Sequence, residues 1–147
     1  MRLVESSVFI SKTSEQVLSA FTEAEHLRNW WGVERSYIEL KRGGLYSLVW
    51  KITDDAMGFV TTGIVAEYLP GCQLKIESMV YFNPQRPVLG PMELTVLATP
   101  ERVGTTLTII QSGYKDGTDW DWYYNVVKEA WPVVAVNIKD YLEKLGD

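Results

Sequence analysis

One cysteine and one histidine are all that this chain of 147 residues offers of the two side chains most used for nucleophilic and metal chemistry. Cys72 alone cannot close an internal disulfide, and without neighbouring ligands it excludes a zinc site. A lone His26 leaves no Ser-His-Asp or Cys-His arrangement unless that one residue takes part. Positive charge is also short: 14 Lys and Arg face 19 Asp and Glu, a formal charge of −5. Holding nucleic acid needs clustered Lys and Arg, so a nucleic-acid partner is not expected. No apolar run is long enough to span a bilayer, and the first residues, Met1-Arg2-Leu3-Val4-Glu5, lack the apolar core of a signal segment. The expectation is a cytoplasmic protein without membrane insertion. Neither a linker, a low-complexity tract nor a repeat interrupts the chain, so residues 1–147 read as one domain. Gly43-Gly44 lacks the Lys-Ser/Thr of a phosphate loop.

What the chain does have is aromatic area. Six Trp, eight Tyr and four Phe make up 12% of it. The first segment, 3–12, alternates with a period near two and reads as a strand. Two helix-start patterns follow. In Thr13-Ser14-Glu15-Gln16 and Thr22-Glu23-Ala24-Glu25 a hydroxyl precedes a Gln or Glu by three residues, the spacing of a capping box. The first short helix would bury Val17, Leu18 and Phe21; the second would bury Leu27 and Trp30, with Trp31 beside them, and end at Gly32. From 33 to 112 turn signals recur about every ten residues, as in an antiparallel meander of about six strands: 33–40, 45–52, 58–69, 73–82, 92–99 and 105–112. The tail repeats apolar residues at three- and four-residue steps (Tyr123, Val127, Ala130, Val134, Ile138, Tyr141 and Leu145) and so predicts one helix long enough to cross a small sheet. Pro132 within it predicts a kink or a restart. Strand, two short helices, a meander and a helix form an α+β pattern.

A curved sheet wrapped on one helix leaves a volume that side chains either fill or line. Strand alternation turns Tyr46, Leu48, Trp50 and Ile52 inward, with Leu45, Ser47, Val49 and Lys51 outward. The same count turns inward Leu74, Ile76, Ser78 and Val80, then Met92, Leu94, Val96 and Ala98, then Leu107, Ile109 and Gln111. Most of these build a core, and a subset lines a pocket. Ser78 and Gln111 are polar groups on apolar faces, the kind that orient a ligand. The candidate lining is Trp31, Tyr46, Leu48, Trp50, Ile76, Ser78, Met92, Leu107, Ile109, Gln111, Tyr123, Val127 and Trp131. Glu77 and Glu93 count to the outer face. His26 is expected on a solvated helix face and Cys72 in a turn. Asp119 and Asp121 suit the start of the last helix by charge; alternatively they rim a pocket mouth with Trp120, Trp122, Tyr124 and Arg86.

These motifs resemble the START-like (helix-grip, SRPBCC) superfamily, in the branch named after the C-terminal domain of the heat-shock ATPase activator. The resemblance is carried by Leu27-Arg28-Asn29-Trp30-Trp31-Gly32, by Gly43-Gly44-x-Tyr46, and by Gly63-x-Val65-x-Glu67-Tyr68-x-Pro70-Gly71-x-x-Leu74. Downstream follow Gly104-Thr105-Thr106-Leu107-Thr108, Gln111-Ser112-Gly113-Tyr114 and Trp131. Pro132 and the run Asp119-Trp120-Asp121-Trp122-Tyr123-Tyr124 depart from the branch. The resemblance implies a helix-grip fold, in which an antiparallel sheet of six to seven strands holds a C-terminal helix over a hydrophobic cavity. It transfers no catalytic residue and implies no cofactor. The function expected is binding of a small hydrophobic ligand, aromatic or lipid-like. The alternatives are a cofactor-free cyclase or hydrolase, which needs a carboxylate inside the cavity, and a chaperone-ATPase-activating interaction domain. The last normally needs a further domain, for which 147 residues leave no room. A homodimer and a chaperone are the candidate macromolecular partners.

Overall fold

The structure is a computed structural model and describes residues 2–146. Its elements follow the order β1 (Leu3–Ile10), α1 (Ser14–Ser19), α2 (Ala24–Trp31), β2 (Arg35–Ile38), β3 (Leu45–Trp50), β4 (Phe59–Leu69), β5 (Gln73–Phe82), β6 (Leu89–Pro100), β7 (Thr105–Ser112) and α3 (Thr118–Lys144). All seven strands form one antiparallel sheet in the order β1-β7-β6-β5-β4-β3-β2. Every step except β1–β7 joins sequence neighbours, so the meander is literal. The sheet curves around α3, giving the α+β helix-grip fold.

Local chemistry sets most of the boundaries. Thr13 caps α1: its Oγ1 accepts the Gln16 amide at 3.2 Å while Gln16 Oε1 accepts the Thr13 amide at 3.0 Å. Gly32 closes α2 in the left-handed conformation (φ 74°), returning its N–H to Arg28 and Leu27 carbonyls. The second capping box does not form. Glu23, not Thr22, precedes α2, and no side chain caps it. The chain after α1 continues in tight turns, and the Thr22 hydroxyl donates back to the Ser19 carbonyl at 3.5 Å instead of forward into α2.

α3 runs for 27 residues, about 40 Å at about 1.5 Å per residue. It does not restart at Pro132. The proline and Lys128, whose carbonyl loses its intrahelical donor, both lie on the exposed side of the helix, open to solvent. The opposite stripe is continuous: Tyr123, Val127, Trp131, Ala135, Ile138 and Leu142 are buried. Beneath it, Ile10, Val17, Phe21, Leu27, Leu74, Val96 and Leu107 are fully enclosed.

The C-terminal half of α3 is tied to the end of β1. Lys139 Nζ donates to the Phe9 carbonyl at 2.8 Å, and Glu143 Oε2 accepts both Lys139 Nζ and the Ser11 amide at 2.8 Å. These donors hold the Glu143 carboxyl below its ordinary range, the Lys139 bond contributing most. A carboxyl depressed by folding stabilises above its unfolded value and loses that contribution as pH falls through its folded value. Glu143→Gln is therefore expected to lower stability by about 0.5 kcal/mol at neutral pH, with the difference closing in acid. Urea titrations at pH 7 and pH 3 check this.

His26 is not on a solvated face. It is half-buried between α2 and α3, with Nδ1 2.7 Å from the Tyr141 hydroxyl and Nε2 3.5 Å from Glu23.

Candidate functional site

A cavity of about 290 Å³ lies between the sheet and the N-terminal half of α3. Three strands supply one wall: Tyr46, Leu48 and Trp50 from β3, Phe59 and Thr61 from β4, and Met79 and Tyr81 from β5. α3 closes the other side with Tyr123, Val126, Val127, Ala130, Trp131 and Val134, while Trp31, Lys51, Leu94 and Gln111 complete the lining. Its aromatics are arranged in two groups. Trp31 at the end of α2 stacks on Trp30 (4.7 Å between ring centroids), meets Trp50 edge-on at 5.1 Å, and lies 5.7 Å from Trp131. On the far side Tyr81 stacks on Tyr123 at 4.9 Å. Such pairs hold ring orientations as well as bury area.

The polar atoms of these walls are largely committed to one another. Trp131 Nε1 donates to Gln111 Oε1 at 2.8 Å, and Gln111 Nε2 donates to the Tyr123 hydroxyl at 3.1 Å. Tyr46 donates its hydroxyl to the Phe21 carbonyl at 2.6 Å, and Trp50 Nε1 donates to the Trp31 carbonyl at 3.2 Å. Burial raises the Tyr46 and Tyr81 hydroxyls above their ordinary range and pushes Tyr123 up to about 12. At neutral pH these hydroxyls are therefore neutral hydrogen-bonding groups and not bases. Among the described residues no Asp or Glu lines the cavity, and no cluster of three His, Cys, Asp or Glu could hold a metal ion.

Of the residues expected to line a pocket, Trp31, Tyr46, Leu48, Trp50, Gln111, Tyr123, Val127 and Trp131 come together here. Ile76, Met92, Leu107 and Ile109 do not. They face the same side but are enclosed in the packed core, because alternation fixes a side chain's face and not its distance along the strand. Ser78 is exposed and left-handed (φ 51°). β5 carries a bulge there: Thr62 pairs with Val80 and Ile64 with Glu77, so Ser78 and Met79 together oppose Gly63. That extra residue shifts the alternation, turning Met79 and Tyr81 inward where Ser78 and Val80 were expected. Ile52 lies beyond the end of β3 and is exposed. Phe59 and Thr61 could have been found by extending the Gly63/Val65 alternation backward along β4.

The acidic aromatic run builds latches, not the rim of this cavity. Arg86 sits 3.9 Å over the Trp122 ring and 3.3 Å from Asp119; Arg2 sits 4.7 Å over Tyr124 and 2.8 Å from Asp121. The chain's own guanidinium groups thus occupy the cation sites that these rings and carboxylates offer. Behind them Tyr114 is buried with its hydroxyl unpartnered among the described residues.

Residues 12–143 match the family described as Activator of Hsp90 ATPase homolog 1-like protein. The chain belongs to this family. Among solved structures, this Activator of Hsp90 ATPase homolog 1-like chain resembles protein MLL2253 from Mesorhizobium loti (21% identity, 99% of this chain and 100% of that one, TM-score 0.77). It also resembles the Aha1 dimer from Colwellia psychrerythraea (15% identity, 98% of each chain, TM-score 0.73). DynU16 of the dynemicin biosynthetic locus shares 17% identity over 97% of this chain and 47% of its own, with a TM-score of 0.74. At these identities the likeness is one of fold. No functionally curated protein matches the sequence. Among the described residues, no helix is long and apolar enough to cross a membrane.

Proposed function

We propose that this protein binds a small hydrophobic molecule between the sheet and α3. The observation that carries this reading is the open volume itself, about 290 Å³ walled by Trp31, Trp50, Phe59, Tyr81, Tyr123 and Trp131. Close packing is the rule inside proteins, so a ring-lined volume near the lower end of ligand pockets, about 300 Å³, is the feature that calls for an occupant. The enzyme alternative needs a carboxylate inside the cavity, and among the described residues none lines it.

The reading is tested by native mass spectrometry of the gently purified protein together with titration of a hydrophobic naphthalene-type fluorophore. The expected result is a 1:1 complex whose formation changes Trp emission, since three tryptophans line the site. Failure of any apolar compound to bind, with nothing co-purifying, overturns it. The same spectrum reports self-association. The dimeric relative from Colwellia psychrerythraea and the exposed Val133 and Val136 on α3 support a second copy of the chain as a partner.

A further inference from the structure

Side chains on β3 alternate, Tyr46, Leu48 and Trp50 facing the cavity, and by that alternation Lys51 belongs on the opposite face. It contributes to the cavity lining instead, from an exposed position at the cavity's edge. The departure has a backbone cause: Lys51 is left-handed (φ 57°), a conformation that costs a non-glycine residue about 1–3 kcal/mol and persists only where the surroundings enforce it. Gly58 supplies the enforcement. A Cβ on Gly58 would lie 2.3 Å from the Lys51 carbonyl oxygen and 2.5 Å from that of Trp50, so only glycine lets the returning chain press against this turn.

The cation so placed has no counter-charge. Among the described residues Lys51 enters none of the ion pairs, and no carboxylate lines the cavity. Thr61, also lining it, makes no side-chain hydrogen bond among the described residues. The deeper polar atoms are different: Gln111, Tyr46 and the Trp50 and Trp131 indoles already satisfy one another or the backbone. An occupant therefore meets an apolar interior and, at its exposed edge, one positive charge outside any ion pair among the described residues. A cationic ligand would meet like charge, whereas an anionic head gains a charge-assisted contact that a neutral head does not.

Resting on the reading that the cavity takes an apolar ligand, we infer that this ligand is a small organic anion, a carboxylate on a one- or two-ring aromatic body, with its head at Lys51 and its rings against Trp31, Trp131 and Tyr123. The cavity volume of about 290 Å³ suits a body of one or two rings.

A matched pair of probes separates this from the cavity reading. Calorimetric titration with 2-naphthoate and with 2-naphthamide compares one ring system under two heads. The carboxylate is expected to bind about fivefold to tenfold tighter, the size of one charge-assisted contact at an accessible site. Raised salt should narrow that margin. Lys51→Met should bring naphthoate down to naphthamide while leaving naphthamide unchanged, and Lys51→Arg should keep the preference. Equal binding of both probes to the native protein, or a preference that survives Lys51→Met, overturns the anion inference and leaves the cavity reading standing. Binding of neither probe overturns the anion inference, and the cavity reading falls with it only if the fluorophore and native mass spectrometry also find nothing bound.

Discussion

Replacing Trp131 by alanine is expected to destabilise the protein by about 3 kcal/mol, at the lower end of the range for burying and then deleting a large aromatic ring. The argument has two parts. Trp131 is 7% exposed, so nearly the whole ring leaves water on folding, and its Nε1–H is the donor that satisfies Gln111 Oε1. Deletion removes both the buried area and that donor. The usual penalty for the void is smaller here, because the space left by the ring merges with a volume that is already open and can admit water to Gln111. Urea denaturation should show a lower midpoint at an unchanged slope. Trp131→Phe separates the terms: it keeps most of the ring, loses the indole donor, and should cost about 1–2 kcal/mol. A loss below about 1 kcal/mol for the alanine variant would mean that the ring is held only loosely against Trp31.

Much of the frame that sets Trp131 against the sheet is legible in the chain because it is written in short-range chemistry. The Thr13/Gln16 box, the left-handed Gly32 and the edges of β5 and β7 each depend on residues within a few positions of one another. Helical period gives α3 itself but only half of its buried stripe: Tyr123, Val127 and Ile138 are buried as expected, while Trp131, Ala135 and Leu142 complete it in place of the exposed Ala130 and Leu145 and the partly buried Val134 and Tyr141. What local pattern misreads are positions where tertiary contacts override it. Thr22 and Glu25 have the spacing of a cap, yet the turn after α1 takes the hydroxyl for Ser19. Pro132 is tolerated because the carbonyl it orphans lies on the exposed side of the helix. His26 finds Tyr141 from 115 residues away. At the cavity wall, Ile76, Met92, Leu107 and Ile109 have the expected face but not the expected depth, whereas Ser78 has the wrong face. Ser78 has positive φ and sits in the β5 bulge, where the two-residue alternation of a regular strand is broken. A parity count crossing it assigns the later side chains of β5 to the wrong face, which puts Ser78 and Val80 inward in place of Met79 and Tyr81.

Gly63 is the residue that makes the β5 bulge possible, and Gly63→Ala is the second substitution expected to have a large effect. The glycine stands opposite the doubled pair Ser78–Met79, where the two strands crowd. A Cβ there would lie 2.6 Å from Ile76 Cγ2, 2.9 Å from the Glu77 carbonyl oxygen and 3.1 Å from Met79 Cα. Two of these three are backbone atoms in a paired ladder, so they cannot swing aside as a side-chain tip can; β4 and β5 must separate or the bulge must flatten. Overpacking of this kind costs about 1–3 kcal/mol and should lower Tm by roughly 3–10 °C. Flattening also reverses the parity that turns Met79 and Tyr81 inward, so affinity for a naphthalene probe should fall along with stability. Trp131→Ala acts by enlarging the site, whereas Gly63→Ala acts by moving its wall. An alanine variant with native Tm and native probe affinity would show that the strands relax around a methyl group, and the glycine would then not be what holds Met79 and Tyr81 against the cavity.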